Sequence, residues 1–489
     1  MTFVRLTPYH PTQRAIRPRR LSSFSRPSSD PSGFTLFLLA LIVFLLTTPA
    51  LYAQWEPDVR LTFNDSTSYL SANNAHCLAA GPGGVLHAVW YDHRSGRDEI
   101  FYKRSSDQGT TWSPDIRLSG GAGNATDPAV ATSGTAVHLT WQDDRDGNPE
   151  IYYKRSTDEG ITWSSDTRLT RDPSLSWTPS LAAWDSLVYV AWTDDRDVNL
   201  EIYGKRSADG GITWAPDARL TQDPYGSLEP SVSGNGTLVH LAWMDNRDNN
   251  DEVYYKRSSD GGTTWGADTN LTFDGNASDN PCLSVSGPWV HLVWENEGGD
   301  VYYKNSDDGG LHWSTGRRLA ASTGGFPSIS SSGATAHATW VDARNGNQEI
   351  YYKTSLNWML TTRLTDDPNH SNAPSGAVAG QAVYIVWADD RDGNYEIYFK
   401  LNPTGNSGME TAEDRGKRLE IRVRPQPNPF TTFAVVPGQE KETFELYDIA
   451  GRKVGTYRGD RIGANLPAGV YFLRTSGKPS TPVRIVKVR

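Results

Sequence analysis

The chain has 489 residues with 45 Gly, 29 Pro, 17 Trp and only 4 Met, which excludes a helical protein and favours many short strands joined by tight turns. Its formal charge is −10. The first 53 residues hold six Arg against one Asp, so a chain without them carries about −15, which argues against nucleic acid and anionic membranes as partners.

Residues 1–33 are rich in Arg, Ser and Pro, and residues 34–46 (FTLFLLALIVFLL) form an apolar run of signal-peptide length. The following TTPALYA ends on Ala53, so residues 1–53 are expected to be a signal peptide cleaved before Gln54.

Beyond this segment the sequence repeats itself. A motif W-x-D-x-R-x-x-x-x-E-[IV]-[YF]-[YG]-K starts at Trp90, Trp141, Trp192, Trp243, Trp340 and Trp387, with a degenerate copy at Trp294. A second motif, S-x-D-x-G-x-[TH]-W, ends at Trp112, Trp163, Trp214, Trp265 and Trp313, and R-L-[TS] follows it closely in several copies. Each period of about 50 residues reads as four strands: a short strand A at P-[SC]-[LV], an alternating strand B such as 238–243, strand C at E-I-Y-Y-K-R-S, and strand D from the second Trp to R-L-T. The last repeat, 366–402, has no strand D, while Trp55-Glu56-Pro57-Asp58-Val59-Arg60-Leu61-Thr62 matches one at the other end of the array. The expected architecture is therefore all-β: a seven-bladed β-propeller over 54–402, closed by an N-terminal strand (55–62) in the last blade. Fourteen of the 17 Trp occupy the two repeated positions and read as packing between blades.

The second motif resembles the Asp-box of the sialidase-like (BNR-repeat) propellers, with Asp107, Asp158, Asp209, Asp260 and Asp308 as its structural aspartates. The resemblance implies the propeller fold and puts the box away from the active face. The family's catalytic set of three Arg, a Tyr–Glu pair and a further acid is not matched, because Arg60 sits in a strand-D motif that recurs. No catalytic residue is assigned.

The B–C loops carry Asp92/Arg94, Asp143/Arg145, Asp194/Arg196, Asp245/Arg247, Asp342/Arg344 and Asp389/Arg391. They read either as a polar crown for glycans or anions, or as ion pairs that fix each loop. Recurrence favours pairing, since one substrate needs one unique arrangement. Asp144, Asp146, Asn148 and Glu150 have the alternate-oxygen spacing of calcium loops, but units 1 and 6 break it, so no cofactor is expected and calcium is the metal the spacing would admit. Residues that vary between repeats suit specificity better: Asp127 and Glu229 before the strand-A Pro (with Thr178, Asn280, Phe326 and Ala373 elsewhere), and the aromatics Trp177, Tyr69 and Tyr225 of the D–A loops. His87, His138, His240, His291 and His337, replaced by Tyr189 and Tyr384 in two repeats, read as packing. Cys77 and Cys282 share one repeat position in non-adjacent blades and are expected to be free, buried thiols.

Residues 403–419 are polar and read as a linker. Residues 420–489 read as a small Ig-like β-sandwich. Pro427-Asn428-Pro429-Phe430, Phe444–Val454 with its D-I-x-G-R turn, and Leu466–Arg474 closely resemble the type A C-terminal sorting domain of the bacterial type IX secretion system. That resemblance implies export to the outside or the outer-membrane surface of a Gram-negative-type bacterium, with the secretion machinery as a partner through 420–489. The functional expectation is a secreted or surface-displayed monomeric propeller that binds an extracellular glycan, polymer or protein, with a sialidase-like exo-glycoside hydrolase as the alternative.

Overall fold

The computed structural model describes residues 55–405 apart from 72–75, 274 and 322–323, together with strands and turns between 441 and 487. The expected signal peptide, most of the linker and the start of the C-terminal module lie outside the described residues.

Unit 3 shows the repeat: strands A (Ser176–Trp184), B (Leu187–Asp194), C (Glu201–Ser207) and D (Ala218–Arg219) form one antiparallel sheet in that order. Seven sheets of this kind occur between 55 and 405 among the described residues, that of unit 1 having five strands because its strand A is in two pieces, Ser68–Tyr69 and Leu78–Ala80. Strand A is longer than expected, because pairing resumes before the Pro across a bulge, as between Trp177 and Ser180. Strand D is shorter, with two paired residues in most units. Strand B was expected to alternate but is buried on nearly every residue in unit 3. The cause is that each sheet is covered on both faces by its neighbours, so neither face meets water.

Val59–Arg60 completes the last sheet, pairing with Phe399 and Tyr398. Glu56 N–H also donates to Leu401 O at 2.8 Å, and Leu61 N–H to Ile397 O at 2.7 Å. The second-motif Trp packs on the strand-C aromatic of the unit before it, except that Trp265 packs on Tyr189 of strand B, where strand C has Gly204. Trp163 meets Tyr102 at 5.1 Å, Trp214 meets Tyr153 at 4.8 Å, Trp55 meets Tyr352 at 4.9 Å and Trp112 meets Phe399 at 5.2 Å. These edge-on contacts bind sheet to sheet and return from the last unit to the first. The strand-A hydroxyls do the same at the centre: Val232 N–H donates to Ser180 Oγ at 3.0 Å, and Cys77 N–H to Ser375 Oγ at 3.0 Å. The arrangement is propeller-like and all-β, with Pro82–Gly84 forming a single 3-10 turn.

The Asp-box turns are built by their side chains. Ser156 Oγ accepts Gly160 N–H at 2.9 Å, while Asp158 accepts Thr162 N–H at 2.8 Å and Thr162 Oγ–H at 2.6 Å. Those bonds hold the Asp158 carboxyl down to about 2. Gly160 has φ of 81°, and a Cβ there would lie 1.9 Å from Tyr102 Oη, so glycine is required twice over.

The C-terminal residues form a four-stranded sheet, with Lys453–Arg458, Thr443–Tyr447, Gly469–Thr475 and Val483–Lys487 in that spatial order. Its apolar cluster includes Phe444, Leu446, Ile462, Tyr471 and Leu473. Asp448 and Arg452 bracket the expected hairpin turn, with Arg452 Nε donating to Asp448 at 2.8 Å.

Candidate functional site

The repeated crown is an internal clasp. Asp194 is fully buried at the end of strand B. It accepts Trp192 Nε1–H at 2.8 Å, Ser176 Oγ–H at 2.9 Å and three donors of Arg196 at 2.6–3.1 Å. Burial alone would raise its pKa, but the Arg196 and Trp192 bonds outweigh that and hold it below the usual carboxylate range. The Arg196 guanidinium lies 4.3 Å over the Tyr203 ring and reaches Asp217 at 3.0 Å, which also pairs with Lys205 at 2.7 Å. The same geometry recurs at Asp92/Arg94, Asp143/Arg145, Asp245/Arg247 and Asp389/Arg391. Asp342/Arg344 keep the ion pair. All six aspartates are 0–2 % exposed, so their oxygens face protein donors.

The calcium-spaced loop is similarly engaged. Asp144 accepts Asn124 N–H at 2.6 Å, Asp146 binds Tyr152 Oη–H and Arg168, and Asn148 turns its amide donor onto Glu150 and the carbonyl of Ser174. Among the described residues no group of three or more His, Cys, Asp or Glu could hold a metal ion.

The residues singled out for variability stand at the inner ends of the sheets. Asp127, Thr178, Glu229, Asn280, Phe326 and Ala373 all have φ between 47° and 55°. Each sits at the strand-A bulge, a left-handed conformation that non-glycine residues adopt at a cost. From there they touch the neighbouring unit: Thr178 N–H donates to Gln142 at 3.1 Å and Asn280 N–H to Glu229 at 3.0 Å. Trp177 lies within strand A, and Tyr69 in the short strand Ser68–Tyr69 paired with Tyr91, rather than in the preceding loops, whereas Tyr225 stays in its loop and is 48 % exposed. At units 7 and 1, Tyr69 stacks on Tyr91 at 5.4 Å and lies 6.2 Å from Tyr395. Below this level His76 replaces the strand-A Pro, and its Nε2 lies 3.3 Å from Leu283 O of unit 5, across the axis. Cys77 and Cys282 are buried thiols outside any disulfide, and burial pushes them up to about 12 and about 11.

The structure adds residues that motif reading passed over. In unit 5 Glu295 occupies the place after the strand-B Trp, where other units have Tyr91, Gln142, Thr193, Met244, Val341 or Ala388. Glu295 accepts Phe326 N–H at 2.8 Å and Asn280 Nδ2–H at 2.5 Å. Burial, then Asp279, pushes Glu295 up to about 7. Burial, then Asp251, pushes Asp279 up to about 6, and one Asp279 oxygen is buried without a hydrogen-bond partner. Burial likewise raises Glu229. A Cβ at Gly325 would fall 1.9 Å from Glu295, so the Gly makes room for the carboxylate. Beside this group a cleft of about 560 Å³ runs between the loops of units 4 and 5, lined by Tyr225, Asn246, Asn250, Asp251, Asp279 and Glu297 among others. The degenerate W-E-N-E-G-G at Trp294 and the Gly324-Gly325 pair were the signals available in the sequence.

No protein-family model and no curated protein sequence matches this chain. Solved structures do. An ulvan lyase of polysaccharide lyase family PL25 superposes with a TM-score of 0.51 at 10 % identity, covering 70 % of this chain and 95 % of its own. The polysaccharide lyase Uly1 superposes with a TM-score of 0.50 at 10 % identity, covering 72 % of this chain and all of its own. An α-L-arabinofuranosidase of Fusarium graminearum gives 0.43 at 13 % identity, over 71 % of this chain and 97 % of its own. At such identities the likeness concerns fold alone: the chain has the β-propeller fold that these lyases share.

Proposed function

We propose that residues 54–402 form a seven-bladed propeller that binds an extracellular glycan on the face carrying the B–C and D–A loops. The observation that carries this reading is the one-off cleft between units 4 and 5. An exposed Tyr225 ring stands there beside the amides of Asn246 and Asn250 and the carboxyls of Asp251 and Asp279. An aromatic ring suits the apolar face of a sugar, and amides with carboxyls suit its hydroxyls. The cleft lining includes no Lys or Arg among the described residues. A neutral sugar fits it better than an anionic one. Two solved structures that share this fold are polysaccharide lyases, so the scaffold supports glycan chemistry in those proteins. The crown arginines and aspartates are read as structural clasps, and no cofactor is assigned.

A glycan-array screen followed by calorimetry tests the reading. Binding of a neutral oligosaccharide should fall at least about tenfold in Tyr225→Ala and Asp279→Asn. Unchanged affinity in both variants would remove the cleft from consideration.

A second reading has its own observation. Asp279 and Glu295 hold carboxyls raised to about 6 and about 7, the range of a general acid. A glycoside hydrolase is thus the alternative, and turnover of fluorogenic glycosides, a sialoside included, that disappears in Glu295→Gln would establish it.

Export completes the proposal. Residues 1–53 act as signal peptide, 403–419 as linker and 420–489 as an Ig-like type IX sorting module, delivering a monomer to the medium or the outer-membrane surface. Removing 420–489 should strand the propeller in the periplasm, and cell fractionation would reveal it. Normal release of the truncated chain would refute the sorting role.

A further inference from the structure

Units 5 and 6 also depart from the repeat at the Asp-box end, and their departures meet. In units 1, 2 and 4 the Arg before the box Ser reaches the next box: Arg104 Nε donates to Glu159 O at 2.7 Å, Arg155 to Gly210 O at 2.8 Å and Arg257 to Gly309 O at 3.2 Å. Unit 5 has Asn305 there, and unit 6 has lost the box, keeping Trp358. The space between them is a cavity of about 440 Å³, walled by Trp289, Tyr303, Trp358 and Arg317 with Asn305 and Ser355. Trp358 packs on Tyr303 at 4.7 Å, and both Trp289 and Trp358 are half-buried.

The charge of this wall is inverted. Three residues past the second Trp, units 1–4 and 7 have Asp115, Asp166, Asp217, Asp268 and Asp58, each paired with a strand-C Lys at 2.5–2.7 Å. Units 5 and 6 have Gly316 and Thr361 instead, and Arg317 follows Gly316. Arg317 is exposed and makes no ion pair with a described residue. Lys353 of unit 6 keeps its bond to Leu319 O at 2.6 Å but has no carboxylate, and burial, then Arg344 and Arg317, lower its pKa. Missing acids and an added guanidinium leave a local positive field beside two indoles.

We propose that this cavity between units 5 and 6 is a second binding site, for a carboxylate-bearing sugar such as a uronate. The indole and phenol rings take the apolar face of the sugar ring, Arg317 takes its carboxylate, and Asn305 and Ser355 take hydroxyls. The site rests on cavity and charge alone and stands or falls apart from the acidic cleft.

The test titrates the full chain with a galacturonate tetrasaccharide and with its uncharged galactose counterpart, following Trp fluorescence and heat. The acidic sugar should bind, more weakly as salt rises. Affinity should drop at least about tenfold in Arg317→Gln, a surface change whose thermal melt matches wild type. Trp289→Ala should weaken it as well, while Asp279→Asn should leave it unchanged. The proposal is overturned if Arg317→Gln binds the acidic tetrasaccharide as wild type does, if no binding occurs at millimolar sugar, or if Asp279→Asn rather than Arg317→Gln abolishes it.

Discussion

Units 1 to 4 and units 5 to 6 carry the same strands but treat their charges differently. In unit 3 a chain of bonds runs from Trp192 through Asp194, Arg196 and Asp217 to Lys205. In unit 5 the first acid is Asn296, the loop Arg is gone and the second acid is Gly316. Unit 6 keeps Arg344 on Asp342 but has Thr361 in place of the second acid. Units 1–4 and 7 carry the whole chain of bonds, unit 6 keeps its first half and unit 5 has neither half. Release from the clasp leaves unit 5 with unusual carboxyls at one end and an unusual guanidinium at the other.

The strongest way to break this contrast is to remove a clasp acid. Asp194→Ala leaves Arg196 and the Trp192 indole without their buried acceptor and should cost about 3–5 kcal/mol. Asn296→Ala at the equivalent place in unit 5 should cost about 1 kcal/mol or less. Denaturant melts of the two variants decide it, and equal losses would mean that the clasp carries no special weight.

A second contrast lies inside the regular units. His240 Nδ1 and Tyr255 Oη share a 2.7 Å hydrogen bond in unit 4, and the matching pairs in units 1, 2, 5 and 6 share one at 2.6–2.8 Å. Unit 3 has Tyr189 and Gly204, and a Cβ on Gly204 would lie 2.6 Å from Tyr189 Oη. One large ring has replaced two smaller partners. In unit 4, Tyr255→Gly alone should cost about 3–5 kcal/mol through the cavity, and His240→Tyr alone about 1–3 kcal/mol through overpacking. The double variant should be more stable than the Gly variant by more than 1 kcal/mol, measured by a double-mutant cycle. Additive losses would show that the swap in unit 3 is not compensatory.

The repeat made the four-strand units legible, and the match between 55–62 and the other D strands placed the first strand beside the last. Strand extents were less legible, because the bulge at Trp177–Ser180 and the two-residue D strands depend on how neighbouring sheets cover one another. The crown was visible as a pattern, but its burial was not, since Asp and Arg are read as surface residues until a Trp indole is seen to cap them. The cleft acids escaped for the opposite reason: Asp279 and Glu295 match no residue that the repeat keeps, and only the fold brings them beside Glu229 and Asp251.

The His–Tyr units also differ from unit 3 in acid. Burial holds His87 down to about 3, and His138, His240 and His337 down to about 4. Unfolded histidine binds its proton near 6.5. Between that value and about 4 the unfolded chain therefore holds more protons, and stability falls as pH drops through this window. A loss on the order of 2 kcal/mol from each such histidine is expected by pH 4.5. The His240→Tyr/Tyr255→Gly double variant should show a shallower fall, and an identical pH profile would exclude His240 as a source.

The smallest expected effect has the reverse sign and belongs to unit 5. Asp279 and Glu295 are raised to about 6 and about 7, so the folded chain keeps protons that the unfolded chain releases above about 4. Their contribution is favourable in acid and is lost as pH rises through 6 to 7. Asp279→Asn removes one of the crowded charges and should stabilise the protein at pH 8 by on the order of 1 kcal/mol once solvent screening is allowed for, a rise of about 2 °C in Tm. At pH 4 it should change nothing. A melt unchanged at pH 8 would mean that the carboxyls relieve one another by another route. A gain confined to high pH would instead show that the chain retains a destabilising group in a cleft where the repeat is broken, as a binding or acid–base site requires and a structural clasp does not.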